Sequence, residues 1–189
     1  MGLDQNIFRV KKLELSKRIY TSEELGGMDL DKVAVEDFEN CKGLFGQLKP
    51  YMVKRDVLCK LYDIEKMIAD YNLPGGSRIW RYSYDDIELS GYDENNQQVS
   101  RAISRNEIER KYIKTEIIPH YIFSREEVCY WRKHYDLQDW IYEHVSNADN
   151  TAYCILSADL IYELNETFDE DIPIEEPTNE SALFYWEWY

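Results

Sequence analysis

The stretch Ser124 to Val145, SREEVCYWRKHYDLQDWIYEHV, places the tightest constraint on how this chain folds. Ser124 followed three residues later by Glu127 is a capping-box pattern, in which each side chain satisfies the other residue's backbone N–H. Glu126 and Glu127 would lie in the first turn, where the helix dipole favours acids. Neither Pro nor Gly interrupts the residues that follow. At about 100° per residue, Val128, Tyr130, Trp131, Tyr135, Leu137, Ile141, Tyr142 and Val145 fill a broad apolar arc. Arg132, Asp136, Asp139 and Glu143 fall on a narrow polar face. The pattern predicts a helix over about 124–145, largely wrapped by the rest of its domain, with Trp131 buried at the centre of the arc. His134 and Gln138 are four residues apart, hence neighbours on a helix. They fall inside the apolar arc, where a polar pair must find hydrogen-bond partners. A structural pair is the expectation.

Around that helix the chain alternates short extended and helical patterns. The segments near 7–13, 51–61, 78–92 and 114–123 read as strands. Asp63, Ser104 and Ser157 each stand where a helix cap is wanted, ahead of helices near 64–71, 106–112 and 158–165. A short helix is expected near 31–41, a turn at 147–151, a short strand near 152–156, and irregular acidic chain over 166–182. The fold class is α+β: a small antiparallel sheet with the 124–145 helix packed across it, in a single domain of 189 residues. A chain of this length buries about 70 % of its unfolded surface, so neither disulfides nor metals are required for stability.

Catalytic signatures are missing. There is no GxxxxGK[ST], GxGxxG, HExxH or GxSxG. The Pro74-Gly75-Gly76-Ser77-Arg78 segment lacks the lysine of a P-loop and reads as a plain turn. Asp85-Asp86 and Glu175-Glu176 are not in the alternating pattern of a calcium loop. Cys41, Cys59, Cys129 and Cys154 are widely spaced, without CxxC pairs, and three histidines do not complete a zinc site. No metal, no cofactor and four free thiols in a reducing cytoplasm are expected. No apolar run approaches eighteen residues, so no membrane partner is expected. Gly2 is followed by Asn6 where a myristoylation signal wants Ser or Thr.

Charge is distributed unevenly. The last basic residue is Lys133, and His134 to Tyr189 holds fourteen of the 37 acids, giving an acidic C-terminal third (134–189) that carries nearly all of the net −15. A field of one sign repels nucleic acid and anionic membrane and attracts basic surfaces. Asp159, Glu163, Glu166, Asp169, Glu170, Asp171, Glu175 and Glu176 are the candidates for an acidic binding face. Sixteen Tyr and five Trp are a heavy aromatic load. Part of it lies in the LFYWEWY end, whose Phe184, Trp186, Trp188 and Tyr189 are candidates for docking against the core or a partner.

Two pieces of the chain, Met1-Gly2-Leu3-Asp4 and Tyr130-Trp131-Arg132-Lys133 with Leu137 and Trp140-Ile141 after it, carry a resemblance. They are similar to a group of small uncharacterised bacteriophage and prophage proteins that begin MGLD and carry a YWRK helix. The likeness covers the first few residues and about fifteen in the 124–145 stretch. It implies a phage or mobile-element origin and a small α+β domain, with no activity to transfer. In that group the helix often carries Asn and His where this chain has Tyr135 and Gln138, so any chemical role those residues share there is not carried over to this chain.

Three functional readings follow. The first is a phage-type accessory protein that binds a host protein with a basic surface, such as a nucleic-acid-binding or defence protein, and does not itself bind nucleic acid. The second is a small enzyme using His134. The third is an assembly module docking through its aromatic C-terminal segment. Oligomeric state is not legible in the sequence.

Overall fold

A computed structural model describes residues 3–145 and 152–188. In chain order its elements are β1 (Asp4–Lys11), β2 (Tyr20–Thr21), α1 (Ser22–Gly27), β3 (Leu30–Ala34), α2 (Val35–Asn40), α3 (Lys42–Phe45), a 3-10 turn (Gly46–Tyr51), β4 (Val53–Tyr62), α4 (Ile64–Asp70), β5 (Arg78–Tyr82), β6 (Asp86–Tyr92), β7 (Gln98–Ser104), α5 (Arg105–Lys111), β8 (Ile113–Ser124), β9 (Glu126–Arg132), α6 (Tyr135–His144), β10 (Cys154–Leu156), α7 (Ala158–Phe168) and β11 (Ser181–Trp188). Helices and several antiparallel sheets are mixed along the chain. The strands form sheets of order β10-β11-β1-β9, β2-β4-β8-β3 and β5-β6-β7. Two compact units result, one of Met1–Val57 with Ile118–Tyr189 and one of Leu58–Ile117. The chain leaves the first unit within β4 and returns to it within β8.

In the larger unit β1 and β11 lie side by side, from Asp4 opposite Trp188 to Lys11 opposite Ser181. Alternate side chains of a strand point to opposite faces. On one face Ile7, Leu183, Tyr185, Cys154 and Leu156 pack with Leu137 and Ile141 of α6 and Ile161 and Leu164 of α7. On the other, Phe8, Val10, Ala182 and Phe184 pack with Tyr153, Leu48 and Tyr51. Both faces are covered, which is why Ala182–Tyr185 is buried at every residue rather than at every second one.

The single helix expected over 124–145 is two elements. Glu126–Arg132 is β9, antiparallel to β1 with Gln5 opposite Trp131 and Ile7 opposite Cys129, and only Tyr135–His144 is helical. Val128, Cys129, Tyr130 and Trp131 are the branched, small and aromatic residues that favour a pleated, half-buried surface. The ladder to β1 outweighs a capping box that an isolated helix would use. Ser124 caps no helix: its Oγ accepts from the Lys11 N–H at 2.9 Å and donates to the Lys11 carbonyl at 3.1 Å. Lys133, at φ 59°, turns the corner, and His134 becomes the true cap, its Nδ1 accepting the Leu137 N–H at 3.1 Å. The helix expected near 31–41 is likewise split into β3 and α2. The turn expected at 147–151 lies outside the described residues.

The smaller unit is a β5-β6-β7 meander with α4 and α5 on one face. Met67, Ile108 and Tyr112 cover Ile87, Leu89 and Ile103. Asp63 and Ser104 cap α4 and α5 as their sequence positions predict. Gly91 is required by close approach: a Cβ there would stand 2.2 Å from the Ser77 Oγ. The bare glycine lets the Pro74–Ser77 turn fold against β6, where the Ser77 Oγ donates to the Pro74 carbonyl at 2.7 Å.

Candidate binding surface

Helix α7 is anchored by Ile161 and Leu164, which are fully buried, and capped by the Ser157 Oγ. Its outer stripe carries Asp159, Glu163 and Glu166, all exposed, at i, i+4 and i+7. At 1.5 Å rise per residue these acids are about 6 Å and 4.5 Å apart along the axis. Both intervals are shorter than the Debye length of about 8 Å at physiological ionic strength, so the three act as one field. Asp169 ends the helix at φ 56°, and the chain beyond it is held by Asn165, which donates to the Ile172 carbonyl at 2.8 Å and accepts its N–H at 3.0 Å. Asp169, Asp171 and Glu176 are exposed on this segment. Among the described residues none of these six acids is in an ion pair.

Glu170 and Glu175, grouped with them from the sequence, are differently employed. Glu170 accepts from the Trp131 indole Nε1 at 2.6 Å. Glu175 accepts from Arg9 Nη2 at 2.5 Å and Arg9 Nε at 3.2 Å. The Arg9 hydrogen bond, against a smaller opposing effect of burial, holds the Glu175 carboxyl below the ordinary carboxylate value. These two acids fasten 170–176 to the sheet, and six remain to face solvent.

The aromatic segment is internal. It forms β11 between β10 and β1, with Phe184 fully buried and Trp186 half-buried, stacked on Tyr153 at 5.7 Å. Trp188 is exposed, and Tyr189 lies outside the described residues. Trp131 is half-buried on β9 against the same apolar cluster as α6, not at the centre of a long helix.

His134 and Gln138 are separated by their tasks. The His134 ring caps α6 and meets Phe168 edge-on at 5.1 Å. Gln138 is buried and donates to both Glu187 oxygens, at 3.1 and 3.2 Å. Glu187, with no solvent exposure, also accepts from the Tyr185 hydroxyl at 2.8 Å and from the Tyr142 hydroxyl. Gln5 extends the network, donating to the Tyr185 oxygen at 3.0 Å and accepting the His134 N–H at 2.9 Å. Burial chiefly pushes the Tyr185 phenol far above its ordinary value. Among the described residues no cation pairs with Glu187, and its oxygens meet neutral donors. Glu187 was the residue sequence reasoning missed. The only signal was a lone acid between two tryptophans in an apolar run.

Leu3-Asp4 and Tyr130–Lys133, the described parts of the two pieces that carry the phage resemblance, meet in space. The Lys133 N–H donates to the Leu3 carbonyl at 2.8 Å, the Tyr130 hydroxyl donates to Asp4 Oδ1 at 2.7 Å, and Arg132 stands opposite Asp4 in the ladder. Among the described residues no cluster of His, Cys, Asp and Glu could hold a metal ion, and no helix is long and apolar enough to cross a membrane. Comparison with known proteins gave no match to any family model, curated protein or solved structure.

Proposed function

We propose that the protein acts by binding, with the outer stripe of α7 and the segment after it presenting carboxylates to a basic surface of a host protein. The observation that carries this reading is the set of six exposed acids without ion-pair partners among the described residues, fixed on a helix anchored by Ile161 and Leu164 and on a fastened segment. Unpaired charge on a rigid frame forms a field before contact, which speeds encounter and costs little ordering. A nucleic-acid-binding or defence protein is the partner class whose own affinity is largely electrostatic and so open to this competition. The Met1–Asp4 and Tyr130–Lys133 likeness supports a phage-type accessory protein as the setting.

Asp159→Lys, Glu163→Lys and Glu166→Lys together test it. Host protein captured from lysate at low salt should be lost with the triple variant and in high salt, while the melting temperature stays within a few degrees. Glu170 and Glu175 are left alone because they hold the fold. Capture that survives both treatments would end the charge-based reading and leave exposed Trp188 as the better contact.

A further inference from the structure

The face of the β5-β6-β7 sheet away from Ile87 and Leu89 carries a cleft. Residues opposite one another in an antiparallel ladder share a face. Arg78 stands opposite Ser90, and Tyr92 opposite Gln98, on the face away from Ile87 and Leu89. Trp80 sits in the register irregularity between Ile79 and Arg81. Arg78, Trp80, Ser90, Tyr92 and Gln98 together with Gly76 line one cavity of about 380 Å³. Trp80 is 62 % and Tyr92 63 % exposed. Among the described residues Arg78 has no ion-pair partner, whereas Arg81 beside it is engaged by Asp86 and Glu88. The Gln98 Nε2 donates to the Ser90 Oγ at 2.9 Å, which leaves the Gln98 amide oxygen to accept.

We propose that this cleft binds a mononucleotide, the base against Trp80 and Tyr92 and the phosphate on Arg78. Exposed aromatic faces favour flat π ligands, and stacking on them tolerates any base. A guanidinium without an acid matches phosphate in its planar, forked geometry. A cavity of this size falls at the small end of ligand pockets. A net charge of −15 opposes a long polyanion far more than a single nucleotide, so a strand is the poorer fit. The site is independent of the acidic surface on α7.

Titration with adenosine 5′-monophosphate, adenosine and inorganic phosphate, read by tryptophan fluorescence and calorimetry, tests the assignment. The monophosphate should bind saturably and quench emission. Adenosine should bind about tenfold more weakly, and phosphate alone should not quench. Arg78→Gln should weaken the monophosphate about tenfold and leave adenosine unchanged, in line with the loss of one charged hydrogen bond. Trp80→Ala should abolish binding and Trp80→Phe retain it in part. Both residues are surface-exposed, so circular dichroism should be unaltered. Absence of saturable binding by any of the four common 5′-monophosphates, or binding indifferent to Trp80→Ala, overturns the proposal.

Discussion

Glu187 is the residue whose surroundings say most about how the larger unit is held. A carboxylate removed from water costs several kcal/mol unless its oxygens are filled. Here they are filled by Tyr185 of the same strand and by Gln138 and Tyr142, which tie α6 to β11. Glu187→Ala would remove the acceptor shared by the Gln138 amide and the Tyr142 and Tyr185 hydroxyls, and losing a hydrogen bond to a buried carboxyl costs about 1–3 kcal/mol. A loss of about 2–4 kcal/mol in denaturant titration is expected. A variant as stable as the parent would show that the network is not structural. None of this was legible beforehand, because the two α6 residues that meet Glu187 lie 45 and 49 positions away from it. The burial of Gln138 was legible, since its neighbours on the helix wheel are apolar. His134 has the hydrogen-bonded structural part expected of it, but as the cap of α6 and not as the partner of Gln138, because a cap and a helix-interior residue look alike until the helix start is known.

Helix and strand competed for the 124–145 stretch, and the outcome shows where local pattern fails. Residues 135–144 kept their helical reading because Leu137, Gln138 and Ile141 are spaced to bury one stripe. Residues 126–132 satisfied the same arc on paper, yet β1 offers them a ladder that no local rule can see. The segments near 51–61, 78–92 and 114–123 were legible because their branched and aromatic residues are bounded by clear caps and turns. The strand β7 was not, its polar face being open to solvent. One consequence at this scale concerns the link from β9 to the chain after α7. Trp131→Phe keeps the ring packing but removes the donor to Glu170. A charge-assisted bond of this kind is worth about 1.5–3 kcal/mol. Amide hydrogen exchange over 169–172 should therefore speed up while α6 stays protected; unchanged exchange would mean that Asn165 and the Arg9–Glu175 pair hold the segment without it.

For the molecule as a whole, the sequence conveyed α and β content and charge asymmetry better than it conveyed layout. The division into two units depends on pairings of β4 and β8 that have no local signature. The net charge does have a bulk consequence. At −15 the folded chain repels itself, and salt screens that repulsion. The melting temperature should rise as salt is added from low ionic strength; a fall would mean that ion pairs such as Arg9–Glu175 dominate the balance.

The order of strands in the first sheet also sets a timetable. Residues 181–188 form an inner strand, between residues 4–11 and 154–156. A ribosome delivers them more than a hundred and sixty residues after their partner β1, at about 5–20 residues per second. Until then β1 has only β9 to pair with, and β10, made shortly before β11, has no partner in the sheet. The smaller unit, made of consecutive residues 58–117, has no such wait. A growing chain would thus carry the apolar residues of β1 and β10 without their shared neighbour until β11 emerges, and for those seconds they are open to a chaperone.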